Sequence, residues 1–139
     1  MSSLSQLRAQ KRTVLQGMNN SREQISILED KITRLQRASN TLSSNLSELN
    51  SVKSSIESLT IENSKWKGRG KEKFDDFYIT YKGSVKGYLN KVKDAKETID
   101  EDISRYSTTQ DNYVNGLNNL QNTLSSLNYQ ISVAEREGE

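Results

Sequence analysis

The chain has 139 residues and contains no proline, cysteine or histidine, a length that suits one domain. Without Cys and His there is no disulfide framework, Cys/His zinc site, thiolate nucleophile or imidazole base. Only Asp, Glu, Lys and Tyr remain for proton transfer, which excludes most catalytic templates. A hydrophobic content of 32% and a mean hydropathy of −0.85 are low for a thick-cored globule. A typical chain of this size holds roughly seven prolines, so their absence points to long helices without kinks.

The N-terminal run Met1-Ser-Ser-Leu-Ser-Gln-Leu-Arg8 has no apolar stretch of the kind a cleavable secretory signal needs. No apolar run approaches the ~18 residues of a membrane span. The expectation is a soluble protein, cytoplasmic before any export and exported, if at all, without a cleavable signal. The net charge of +2 conceals an asymmetry. Residues 1–64 hold 8 Lys/Arg against 6 Asp/Glu, residues 65–93 hold 9 against 3, and residues 94–139 hold 3 against 9. The basic middle is sparse and an acidic block follows it at once. It reads as a solvated face or an electrostatic steer for a protein partner, not as a nucleic-acid or lipid site.

Ser3 and Gln6 offer a capping box for a first helix over about 3–63. Its seam runs Leu4, Lys11, Met18, Ile25, Ile32, Ser39, Leu46, Lys53. The companion series, three residues on, runs Leu7, Val14, Ser21, Leu28, Leu35, Leu42, Leu49, Ile56. Such 3–4 spacing marks a coiled-coil-type stripe. Near its end the stripe is expected to slide to Val52 and Leu59, as a helix of 3.6 residues per turn drifts against a heptad.

Asn63-Ser-Lys-Trp-Lys-Gly-Arg-Gly70 interrupts the pattern, and Gly68 and Gly70 place a turn at about 64–70. A second helix is expected over about 71–135. Its stripe reads Tyr78, Tyr81, Val85, Tyr88, Val92, Ala95, Ile99, then Ile103, Tyr106, Gln110, Tyr113, Leu117, Leu120, Leu124, Leu127, Ile131, Ala134. One extra residue between Ile99 and Ile103 implies a phase slip. Gly83, Gly87 and Gly116 lie off the stripe and read as soft spots, with Gly83-x-x-x-Gly87 a weak candidate for close helix approach. Two arms of about sixty residues, ~90 Å each, joined by a short loop, predict a single all-α domain. Its fold is an antiparallel, coiled-coil-like helical hairpin with Leu4 near Ile131 and Ile56 near Tyr78 and Tyr81.

Two helices bury one seam, yet Leu15, Ile27, Leu59, Ile61, Phe74, Phe77, Ile79, Leu89, Val114 and Val133 lie beside it. Apolar clusters outside the seam suggest contact with another chain. The candidate partner-binding residues are Trp66, Phe74, Phe77, Leu59, Ile61, Ile79 and Leu89, and Trp66, Gly68 and Gly70 form the turn motif. Nothing catalytic emerges. Asp75-Asp76 and Asp100-Glu101-Asp102 are sequence neighbours about 100° apart on a helix, unsuited to a facing pair, and read as solvated faces. Gly68-Arg-Gly70-Lys71 lacks the spacing and preceding strand of a phosphate loop. The tyrosines have the spacing of seam filler, not of a base-stacking platform. No enzyme activity, cofactor or metal is expected.

The single Trp of the chain stands in Trp66-Lys67-Gly68, at the turn between two long helices. With no Pro, Cys or signal peptide, this resembles the WXG family of type VII secretion proteins. The longer Ser/Asn-rich arms are most similar to the small helical proteins associated with LXG toxins of Gram-positive bacteria. The resemblance implies a hairpin that completes a four-helix bundle with a partner, as a homo- or heterodimer. It also implies a chaperone or targeting factor that binds the N-terminal LXG domain of a toxin and supports its stability and export. Trp66 and Gly68 would form the turn and a groove beside the partner. The family's Tyr-x-x-x-Asp/Glu export signal is absent: Tyr106 leads to Gln110, Tyr113 to Leu117 and Tyr129 to Val133. Phe74 and Phe77 likewise lead to Tyr78 and Tyr81. A second small helical protein would then supply the signal to the type VII machinery, or the signal would form only in the complex. The alternative is a self-associating secreted WXG substrate or a generic coiled-coil adaptor.

Overall fold

A computed structural model describes residues 3–58 and 69–138. Two helices, α1 (Leu4–Glu57) and α2 (Arg69–Arg136), pack antiparallel as a hairpin, with no strand among the described residues. At the start of α1, the Gln6 amide donates to Ser3 Oγ at 3.2 Å and the Ser3 amide donates to Gln6 Oε1 at 3.0 Å. This reciprocal pair is the capping box that the sequence implies. Serine and threonine are weak helix formers because their hydroxyls compete for backbone groups. Here many of them, Thr13, Thr41, Ser51 and Thr123 among them, donate to the carbonyl four residues back, which leaves the helical backbone intact.

The ends differ slightly from expectation. Ser58 lies in a turn, and the expected continuation of α1 over 59–63 falls outside the described residues. Helix α2 starts two residues before 71, so Gly70 belongs to its first turn and not to the connecting turn. Glycine accepts helical φ as readily as any other, so a glycine signal alone does not fix where the helix begins. Beyond Arg136, Gly138 takes a φ of 77° and its amide donates to the Glu135 carbonyl at 3.2 Å, closing α2 with a left-handed residue.

Along α1, every position of the two expected series from Leu4 to Ile56 is buried or half-buried. The expected slide to Val52 does not occur: Val52 is 42% exposed and Ile56 is buried. Antiparallel helices that coil around each other hold a 3.5-residue period, which removes the drift of a straight helix. Along α2 the register also differs from expectation. Leu89 is 3% exposed while Tyr88 is 59% exposed, and Lys96 is half-buried while Ala95 is exposed. The seam therefore runs Val85, Leu89, Val92, Lys96, Ile99, Ile103, Tyr106, Gln110 and on to Ala134, alternating steps of four and three without a slip. A phase slip arises only when Tyr88 and Ala95 are placed at the seam in place of Leu89 and Lys96 beside them.

The chain divides into two compact units. The first pairs the part of α1 up to Arg34 with α2 from Ile103. Leu7, Val14, Met18, Leu127, Ile131 and Ala134 form its core, and Leu4, Leu117, Leu120 and Leu124 pack against them. Leu4 thus joins the cluster of Ile131, as the pairing expected. A Cβ placed on Gly17 would lie 3.2 Å from Leu120 Cδ1, so the two helices approach closely there. Gln110 at a seam position donates to the Ile25 carbonyl at 3.3 Å. Arg8 and Glu135 pair across the helices at 3.1 Å, but both side chains are more than half exposed, so the pair adds little.

The second unit comprises Leu35–Asp102. Ile56, Leu89 and Val92 are its buried apolar residues. Its seam holds a polar node: Ser39, 3% exposed, donates its hydroxyl to Asp100 Oδ1 at 2.6 Å, and Lys96 Nζ donates to Asp100 Oδ2 at 2.7 Å. The Lys96 ammonium foremost, and the Ser39 hydroxyl after it, hold the Asp100 carboxyl below its ordinary value. A buried polar group that lost its partner would cost more than the bond gains, so such a node favours one register.

Candidate functional site

The part of α2 nearest the connecting segment departs from a simple seam. Phe77, Tyr81 and Tyr88 are 73%, 57% and 59% exposed. With Ser84 they follow steps of four, three and four, so by helical geometry they form one stripe beside the seam. The stripe spans three turns, about 16 Å. Lys73, four residues before Phe77, and Lys91, three after Tyr88, continue it at its two ends, and both are exposed.

A groove runs along this stripe. Ile56 of α1 and Phe74, Phe77, Tyr78, Tyr81 and their neighbours Thr80 and Ser84 of α2 line it, and its volume is about 400 Å³. Phe74 stacks on Tyr78 with ring centroids 6.0 Å apart and planes 21° from parallel. The Tyr78 hydroxyl donates to the Ile56 carbonyl at 2.6 Å. That carbonyl is among the last of α1, where helical partners run out, so Tyr78 both closes the seam and fixes the groove floor. Lys82 Nζ lies 5.9 Å from the Tyr78 ring centroid, a cation–π contact.

The sequence-predicted residues fall into three groups. Trp66, Gly68, Leu59 and Ile61 lie outside the described residues, and so does most of the expected turn. Phe74 and Phe77 stand together at the groove, one half-buried and one exposed. Gly70 is exposed in the first turn of α2. Ile79 is exposed but lies about 160° around the helix from Phe77, away from the stripe. Leu89, expected at the partner surface, is instead a seam residue buried in the second unit. Leu15, Ile27 and Val114 are exposed only marginally, and Val133 is half-buried, as expected where a wide stripe flanks a seam. Tyr81 and Tyr88, expected at the seam, instead carry the exposed stripe. The strict heptad run back from Leu127 and Ile131 passes through Leu89 and Val85 and leaves Tyr88 and Tyr81 outside the seam.

Among the described residues no group of three His, Cys, Asp or Glu is placed to hold a metal ion. No described helix is long and apolar enough to cross a membrane. The chemistry that this surface offers is burial of aromatic area, with lysines at its ends. No curated protein and no solved structure matches the chain. A family model described as YwqH-like matches residues 9–129, taking in nearly all of both helices, and the chain therefore belongs to the YwqH-like family.

Proposed function

We propose that this chain is a non-enzymatic helical partner that binds the N-terminal LXG domain of a toxin and supports its stability and export. The observation that carries the reading is the Phe77–Tyr81–Tyr88 stripe: three large aromatic side chains, each more than half exposed, aligned on one helical face. Aligned exposed aromatics are what a soluble hairpin retains when a further helix has to cover them. The YwqH-like family is associated with LXG toxin systems, which supports the toxin as the source of that helix. In this reading the toxin's helices lie along the hairpin and complete a four-helix bundle in the cytoplasm. Export follows through the type VII machinery, with the signal supplied by a second small helical protein.

Co-expression with the LXG domain of a toxin encoded beside this chain tests the reading. A stoichiometric complex and reduced toxin secretion on deletion of this chain are expected. Unchanged secretion after deletion would overturn the chaperone role. A stable homodimer, formed without toxin and dissolved by Phe77→Asp, would favour the self-associating alternative.

A further inference from the structure

We infer that the helix seated on this stripe is acidic: an amphipathic helix of a different chain, with carboxylates about 27 Å apart at the two ends of an apolar ridge. The inference rests on the partner-binding reading and gives its occupant a chemistry. Lys73 and Lys91 are separated by eighteen residues, which is five full turns or about 27 Å, so they share one helical azimuth. Both are exposed, and Phe77, Tyr81, Ser84 and Tyr88 lie between them on the same face. Between Phe77 and Lys93 the chain has no carboxylate, and Asp76 and Asp94, three residues beyond Lys73 and Lys91, lie about 100° around α2 from Phe77, off the face that carries the stripe. The apolar ridge provides the burial, and lysines at its rim select against basic helices and speed the encounter with acidic ones.

The same spacing argues against a second copy. In an isologous antiparallel contact centred on the stripe, Lys73 of one copy comes opposite Lys91 of the other, at both ends of the interface. Like charges so placed oppose the pairing. A helix with Glu or Asp at those two positions turns both contacts favourable.

Two synthetic helices of about twenty residues, with the same leucine ridge and either Glu or Lys at the two flanking positions, test this against the full-length chain by fluorescence anisotropy. The Glu helix is expected to bind at least about tenfold more tightly than the Lys helix, with the difference shrinking at high salt. Phe77→Asp should weaken binding of the Glu helix by about tenfold or more. Lys73→Glu with Lys91→Glu should reverse the preference, while Lys86→Glu, on the opposite side of α2, should change it by less than about threefold. All of these side chains are exposed, so unchanged helical circular dichroism should accompany each loss. Equal binding of the two helices, or an equal effect of Lys86→Glu, would overturn the inference. So would a homodimer in light scattering that Phe77→Asp dissolves. The LXG domain, run in parallel, separates the two readings. A toxin complex that survives the double lysine reversal would overturn the acidic-helix inference alone. Selective capture of the Glu helix without any toxin complex would uphold the inference and overturn the LXG reading.

Discussion

Replacing Leu89 with alanine probes the register of α2 where a one-residue choice decides which side chains face α1. Leu89 is 3% exposed and its neighbour Tyr88 is 59% exposed. Truncating a buried leucine costs about 2–5 kcal/mol, depending on how far the site can collapse. A seam between two helices is open along both flanks, so the cavity relaxes and the lower half of that range applies, about 2–3 kcal/mol. For a chain of this length, unfolding entropy of roughly 0.3 kcal/mol/K converts that into a fall in Tm of about 7–10 °C. Tyr88→Ala removes mostly solvated surface and introduces a better helix former, so its effect should stay within about 0.5 kcal/mol. Thermal and urea unfolding followed by circular dichroism at equal protein concentration would measure both. If Tyr88→Ala destabilises as much as Leu89→Ala, the seam runs through Tyr88 and Ala95 and the exposed stripe is lost from the account.

Other outcomes follow from the same geometry. A Cβ on Gly83, Gly87 or Gly116 meets nothing within 4 Å, so alanine at each should stabilise the isolated chain by up to ~1 kcal/mol. Gly17→Ala should gain less in the same melts, because Leu120 Cδ1 stands 3.2 Å from the new methyl group and has to shift. Asp100 contributes through an ionised form held by Lys96 and Ser39. Its folded pKa lies below the unfolded one, so that contribution is whole above the ordinary carboxylate value of about 3.9 and disappears as pH falls through the folded value. The stability gap between the parent and Asp100→Asn should therefore be level near neutral pH and narrow below about pH 4 in a urea-melt series.

Most of the hairpin was legible because the chain spends its few apolar residues on one period. The α1 series from Leu4 to Ile56 can be written down residue by residue, since the few apolar residues beside it, Leu15 and Ile27 among them, do not recur at a heptad spacing of their own. In α2, between Tyr78 and Ile99, aromatic and aliphatic residues crowd several faces, and hydrophobicity alone preferred Tyr81, Tyr88 and Ala95 to Leu89 and Lys96. Lysine carries a four-carbon stem that packs well while its ammonium reaches Asp100, so a seam lysine is invisible to a hydrophobicity count. The Ser39–Asp100 bond was hidden for a related reason. It joins residues 61 positions apart, and only the antiparallel register brings them together. Phe74 and Phe77 stand out in the sequence because they are apolar beside the turn. Separating the stripe from the seam required the strict 3–4 alternation that the packed helices impose.

The most direct measurement is co-purification of the LXG domain of a toxin encoded beside this chain with four forms of the full-length chain: the parent, Phe77→Asp, Tyr81→Asp and Ile79→Asp. Size-exclusion chromatography with light scattering would read the stoichiometry. A stoichiometric complex is expected for the parent and for Ile79→Asp, whose substitution lies on the other side of α2, and its loss with Phe77→Asp and Tyr81→Asp. A complex that tolerates both stripe substitutions, or no complex with the parent, would contradict that expectation.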